Sequence, residues 1–419
     1  MNAPLIPLLT KFTPKPRLLD GWAQRILHSR LSAITTGALH LIDGEKITCF
    51  GQASNAITIT ISDSRFYGEV VFGGSIGAGE AYMLGYWQCN DFTGLIRQLV
   101  RNAHVVDGID SGWSWLTLPL QKLFHWFNRN SQSVSARNIA AHYDLGNELF
   151  QLFLDPTMMY SCGIFESPSA TLEQASVAKL RRICEKLALT KDDHVLEIGT
   201  GWGGFAIYAA SQYGCRVTTT TISQAQFDLA LIRIKEAGLS DRITLLLEDY
   251  RVLTGEYDKL VSIEMIEAVG YQYYDTFFGH CAARLKPSGI MLLQAITITD
   301  QRYEQARRSV DFIQRYIFPG SCIPSVTALL NSITAASDMR LFHLEDIGPH
   351  YAKTLAAWRA NFFEHLAEVK ALGYPDTFIR MWEFYLCYCE GGFEERALGD
   401  VQMLLVKPEN RHEPILPKI

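Results

Sequence analysis

Nothing in this 419-residue chain reads as a membrane span, although 48% of its residues are hydrophobic. Its most apolar runs, such as residues 290–298, stop far short of the roughly 20 residues that a spanning helix needs. The nine cysteines include no C-x-x-C pair, and Cys387 and Cys389 have no companion His/Cys cluster, so no zinc site is expected. The odd cysteine count, and an N-terminus without a basic lead or an A-x-A site, lead to the expectation of a reducing cytosol. Strong charge is missing too. A net charge of −6 and a pI of about 6.0 exclude a highly basic nucleic-acid binder. With 20% charged and 11% aromatic residues, the chain is neither disordered nor collagenous, and no internal repeat is visible. What it has in excess is apolar character. Its mean hydropathy of +0.04 is high for a chain with no span.

The length suggests two or three domains. Leu18, Leu19, Trp22, Ile26, Leu27, Leu31 and Ile34 recur at helical spacing, while Ile57–Ile61 and Val70-Val71-Phe72 read as short strands. Residues 111–130 gather Trp113, Trp115, Trp126 and Phe127 around Lys122 and Arg129, and the polar stretch 128–136 reads as a linker. This predicts a smaller N-terminal α+β domain over 1–130, a catalytic domain over 131–407 and a tail over 408–419. From about Ala170 onward, apolar runs of strand length at 194–198, 215–220, 243–247, 259–263 and 289–296 alternate with helical stretches at 203–213, 223–238 and 271–285. Such alternation predicts an α/β, doubly wound, mostly parallel sheet covered on both faces. Lys286-Pro287-Ser288-Gly289 is expected to turn into the fifth strand, followed by a mostly helical insertion at about 300–393 and a late strand at 401–406.

The strongest local signal is Val195-Leu196-Glu197-Ile198-Gly199-Thr200-Gly201-Trp202-Gly203-Gly204. A strand enters a glycine-rich turn and then a helix, which lets backbone approach a ligand closely. Gly199, Gly201 and Gly204 also satisfy G-x-G-x-x-G, but a dinucleotide site wants an acid about 20 positions later. The second strand ends instead in Thr218-Thr219-Thr220-Thr221. The acid lies inside the first strand, at Glu197, and an acidic pair, Glu248-Asp249, follows the third. That arrangement resembles the nucleotide loop of S-adenosylmethionine-dependent methyltransferases.

Further stretches extend the likeness: His142-Tyr143-Asp144-Leu145-Gly146-Asn147, Asp155-Pro156-Thr157-Met158-Met159-Tyr160-Ser161-Cys162, Ser262-Ile263-Glu264-Met265-Ile266-Glu267-Ala268-Val269-Gly270, Tyr316-Ile317-Phe318-Pro319-Gly320 and Pro349-His350-Tyr351-Ala352-Lys353-Thr354-Leu355. In this order and spacing, over nearly its whole length, the chain resembles the cyclopropane-fatty-acid synthase family, which includes the mycolic acid cyclopropane synthases. The resemblance implies a seven-stranded methyltransferase sheet. It also implies transfer of the sulfonium methyl of S-adenosylmethionine to a cis double bond in an acyl chain of a membrane phospholipid. An isolated alkene is a poor nucleophile, so the site must hold it dry and aligned. The resulting carbocation needs electron-rich walls, and a base must take a proton from the new methyl so that the ring closes.

The resemblance assigns Tyr143 and Phe318 to cation stabilisation, although a Phe before Pro-Gly also suits plain turn packing. It assigns Tyr160, Ser161, Gly199, Gly201, Thr221, Ile222, Gln226 and Tyr250 to the cofactor, with Glu197 and Asp249 as its acids. Tyr250 also fits a lid on the core. The base it implies is a bicarbonate ion in a polar cage of Cys162, Glu267, Tyr351 and the backbone of Ile296, with Cys162 not acting as a covalent nucleophile. The sequence departs from the better-known members at three cage positions. Gln294 replaces a histidine, Ala268 replaces another, and Glu264 stands where they carry glycine, one helical turn before Glu267. Glu264 and Glu267 are expected either to share a proton, raising one pKa, or to differ only because Glu264 fills the vacated space.

The expected function is therefore cyclopropanation of phospholipid acyl chains by a cytoplasmic enzyme, peripheral on the inner leaflet. The alternatives are a methylene- or methyl-branched product, a catalytically dead lipid-binding scaffold and a small-molecule methyltransferase. Docking is expected from the Trp-rich segments at 18–34 and 111–130, with Arg302, Arg307, Arg308 and Arg315 at lipid headgroups or simply solvated. The resemblance also implies a homodimer, and no nucleic-acid partner is expected. The apolar excess then reads as the lining of an acyl tunnel.

Overall fold

The computed structural model describes residues 20–103, 105 and 145–415, which fall into two compact units. The first is discontinuous, drawing on the N-terminal region, Arg308–Pro319 and Trp358–Ala397. Its sheet contains β1 (Ala38–Asp43), β2 (Lys46–Gly51), β3 (Ile57–Ile61) and β4 (Trp87–Cys89), ordered β2-β1-β3-β4. Helix Asp20–Leu31 forms where the spacing predicts it and buries Ala23, Leu27 and Leu31. Val70-Val71-Phe72, expected as a strand, lies instead inside helix Arg65–Met83, which bends at Gly74. A run of three apolar residues fits either period, and here the helical packing wins. Gly79 in that helix admits the Phe312 ring, which a Cβ would meet at 2.3 Å. Asn102, fully buried, accepts from the amides of Thr35 and Thr36 and donates to the carbonyls of Thr36 and Gln98. The late helix Asp376–Glu394 seats Phe384 edge-on against Phe92, and Gly391 lies so close to Ile96 that a Cβ would stand 2.7 Å from it.

The second unit is built on β5 (His194–Ile198), β6 (Arg216–Thr221), β7 (Ile243–Leu247), β8 (Tyr257–Ile263), β9 (Leu285–Ile298), β10 (Arg340–Asp346) and β11 (Leu398–Val406). The seven strands are ordered β10-β11-β9-β8-β5-β6-β7. The neighbours among β5 to β9 run parallel, whereas β11 is antiparallel to β9 and β10. Leu180, Ile183, Phe205 and Ala206 cover one face, and Phe277, Phe278, Leu329 and Ile333 the other, so the doubly wound expectation holds. β10 falls inside the expected helical insertion. As a half-exposed edge strand it lacks the apolar run that marks its neighbours. The expected turn at 286–289 is an irregularity within β9, between the pairs Tyr257–Leu285 and Lys259–Ile290.

Strand order reverses between β5 and β8, which opens a crevice at their carboxyl ends where ligands bind in such sheets. Among the described residues no helix is long and apolar enough to cross a membrane. Tyr143 and the Trp-rich stretch 111–130 lie outside the described residues.

Candidate active site

β5 ends in the glycine turn, where Gly199, Gly201 and Gly203 take φ of +103°, +53° and +86°. The amides of Gly199 and Thr200 both donate to the Thr220 carbonyl, tying the turn to the end of β6. A Cβ on Gly201 would meet nothing within 4 Å, so the turn leaves open room for a close ligand. Buried Glu197 accepts from the Thr219 hydroxyl at 2.6 Å, and burial raises its carboxyl to about 8. The Thr221 hydroxyl donates to Gln226 at 2.8 Å, with Ile222 following it at the turn into helix Gln224–Glu236. Asp249 is held by both its Arg251 side chain and amide, while the Tyr250 ring packs edge-on against Phe277. Tyr250 also packs against the buried cluster beneath it.

Segment 155–162 is fixed by local hydrogen bonds. Asp155 accepts from the Thr157 amide and from the Ser176 hydroxyl, and Met158 takes a left-handed φ of 58°. This fold sets Tyr160 against Phe150 and buries Ser161 and Cys162. These residues, with the open space over Gly201, fit S-adenosylmethionine.

Beside the turn, at the ends of β8, β9 and β11, lies a buried polar cluster. A Cβ on Gly199 would stand 3.3 Å from Met265, which separates Glu264 from the Ile266–Ala268 turn carrying Glu267. The Glu264 carboxylate accepts from the Cys162 amide at 2.8 Å, Gln294 Nε2 at 2.8 Å and the Tyr351 hydroxyl at 2.6 Å. Glu267 Oε1 accepts from the Ile296 amide at 2.5 Å. Glu267 Oε2 is buried with no hydrogen-bond partner among the described residues. Gln294 also donates to Asp400 and accepts from Gln402, which Lys186 holds in turn. The structure thus brings together Cys162, Glu264, Glu267, Gln294, Ile296 and Tyr351. Cys162 contributes its amide, since its thiol turns to the carbonyls of Gly163 and Ile347 and burial raises its pKa far above the ordinary value. Phe318 belongs to the first unit, where its ring meets Tyr385.

Bicarbonate does not fit this cage. The donors that would hold it, on Cys162, Gln294, Ile296 and Tyr351, are already taken by the chain's own carboxylates. Another anion would also meet the Glu264 carboxylate in a buried setting.

Three members of the cluster escape the sequence reading. Asp400 and Gln402 project from β11, and burial followed by the charge of Glu264 raises the Asp400 carboxyl well above the ordinary range. Lys179, fully buried on helix Leu172–Lys186, donates to the Ser161 hydroxyl at 2.6 Å. A signal for Lys179 does exist, because it stands four residues from both Ala175 and Ile183 on the apolar face of its helix.

Burial, and then the charge of Glu264, raise the Glu267 carboxyl to about 8 from 4.5. Between those values the native state binds more protons than the unfolded chain. Stability therefore falls as pH rises, by up to about 1.4 kcal/mol per pH unit. Glu267→Gln is expected to flatten that fall. Calorimetric scans of both proteins from about pH 6 to about pH 9 check it, and parallel curves would contradict it.

Residues 130–403 match the family model described as Mycolic acid cyclopropane synthetase. The chain belongs to that family. Within it, the tuberculostearic acid methyltransferase UfaA1 of Mycobacterium tuberculosis is 38% identical over 80% of this chain and 79% of its own length. The cyclopropane-fatty-acyl-phospholipid synthase of Escherichia coli K12 is 37% identical over 82% of this chain and 86% of its own. The crystal structure of mycolic acid cyclopropane synthase CmaA1 complexed with SAH and CTAB superposes with a TM-score of 0.61 at 29% identity, covering 65% of this chain and 98% of that one. Membership in the mycolic acid cyclopropane synthetase family makes the chain an S-adenosylmethionine-dependent methyltransferase that methylates or cyclopropanates fatty acyl chains.

Proposed function

We propose that this enzyme transfers the methyl of S-adenosylmethionine to a cis double bond in an unsaturated acyl chain of a membrane phospholipid and closes a cyclopropane ring. The observation that carries the reading is the buried carboxylate cluster beside the glycine turn, where Glu264 and Glu267 stand within one turn of Met265. S-adenosylmethionine supplies an electrophilic methyl, with Glu197, Gly199, Gly201, Thr221, Gln226, Tyr160 and Ser161 as its holders. A dry site with a carboxylate base suits removal of a proton from the new methyl before water quenches the cation.

A second reading, a methylene- or methyl-branched chain, is favoured by the departures at Glu264, Gln294 and Ala268 and by the 38% identity to a tuberculostearic acid methyltransferase. Lipids from an expressing host fed methyl-labelled methionine separate the two. A ring carries the label and resists mild hydrogenation, whereas a methylene group takes up hydrogen. Recovery of branched chains alone would overturn ring closure, and absence of label would overturn methyl transfer as well.

A site at the inner-leaflet surface completes the reading. Trp22 is 37% exposed and stacks on Phe72, which suits an interfacial anchor. Among the expected headgroup arginines, Arg307 pairs with Glu304 and Arg315 with Glu80, which weakens their case. A homodimer rests on the family resemblance alone.

A further inference from the structure

We infer that the Glu264 carboxylate is the proton acceptor of the reaction, standing in the cage where the family resemblance calls for a bicarbonate ion. The inference deepens the functional reading above and rests on it. Three of the cage donors, the Cys162 amide, Gln294 Nε2 and the Tyr351 hydroxyl, converge on this one carboxylate at 2.6 to 2.8 Å. They hold it in a fixed orientation, as a bound anion would be held.

The backbone supplies independent support. Glu264 sits at φ +47°, in the left-handed region that glycine enters freely and a glutamate enters at a cost of roughly 1 kcal/mol or more. Its amide nevertheless donates to the Gln294 carbonyl at 2.8 Å, so the strained turn is locked to β9. A side chain kept at such a position, with three donors aimed at its head, is more than a filler of space. The neighbouring Glu267, whose Oε2 has no partner among the described residues, leaves one carboxyl edge unused beside it.

The step balances as follows. The alkene electron pair forms the new C–CH3 bond as the S–CH3 bond breaks, and the sulfur keeps its bonding pair. A C–H bond of the new methyl then breaks, its pair closes the second ring bond, and the proton passes to Glu264. The Tyr351 hydroxyl, which donates to the ionised carboxylate at 2.6 Å, can rotate and accept from the protonated one. The proton leaves when product release readmits water.

The test uses the full chain, vesicles of monounsaturated phosphatidylethanolamine and carbon-dioxide-free buffer. Wild-type methyl transfer should be indifferent to added bicarbonate. Glu264→Gln keeps the size of the side chain but removes the base, and should cut the rate on the order of 100-fold. It should also divert residual product from ring to methylated alkene, with S-adenosylmethionine affinity unchanged by calorimetry. Glu264→Gly should open the cage, so that isotopically labelled bicarbonate binds this variant and not the wild type, and added bicarbonate restores part of the rate. Bicarbonate stimulation of the wild type, or near-normal ring formation by Glu264→Gln, would overturn the inference and leave the functional reading intact. A wild type that methylates no lipid would overturn both.

Discussion

Lys179→Met is expected to destabilise the folded chain by about 3–5 kcal/mol, a fall in melting temperature on the order of 10 °C. The ammonium is fully buried, and burial pushes its pKa down against the pull of Glu264 foremost. Loss of its hydrogen bond to Ser161 accounts for only about 1 kcal/mol. The larger loss is compensation, because methionine fills the space yet leaves buried carboxylates facing no cation. Pairing Lys179→Met with Glu264→Gln should recover about 1–2 kcal/mol. Urea titrations of the single and double variants measure both values. A single-variant loss below about 1 kcal/mol would mean that the lysine is a hydrogen-bond donor and little else.

The second large effect falls on the glycine turn. Gly201→Ala is expected to weaken S-adenosylmethionine binding on the order of 100-fold while the protein stays folded. At φ +53° alanine costs about 1 kcal/mol of strain, and the added methyl clashes with nothing in the protein. It enters the room over the turn that a close-approaching ligand would need. Gly238→Ala provides the control, because that glycine also has positive φ, +68°, and no atom within 4 Å of the added carbon, but lies just past helix Gln224–Glu236. Equal strain with unequal affinity isolates the ligand contribution. Calorimetric affinities that match between the two variants would remove the turn from the binding site.

How much of this is legible in the sequence depends on the residue. The central parallel strands show themselves because burial on both faces demands continuous apolar runs, as at His194–Ile198 and in the later part of Leu285–Ile298. β10 does not, because an edge strand with half-exposed side chains carries no such run. Val70-Val71-Phe72 misleads because three residues cannot separate a period of two from one of about 3.6. At the site, the resemblance brings Cys162, Glu267, Gln294, Ile296 and Tyr351 into view, and geometry adds how each is used. For Cys162 that is an amide, which no reading of side-chain types would select. Asp400 escapes because the expected strand begins one residue too late, at 401, although Asp400 and Gln402 alternate with Val401 and Met403. Lys179 is marked only by its place on the apolar face of its helix, four residues from Ala175 and Ile183, and its partners appear only in the fold.

The first unit is assembled from chain segments separated by nearly the whole sequence: Phe92 and Ile96 come early, while Phe384 and Gly391 come late. During synthesis its N-terminal sheet and helices emerge long before helix Asp376–Glu394. They must wait, with apolar faces uncovered, while six of the seven strands of the other unit leave the ribosome. Non-local closure of this kind slows folding and prolongs the exposure of sticky surface. In the living cell, the yield of this protein is therefore tied to how well its first hundred residues are shielded until its last hundred arrive.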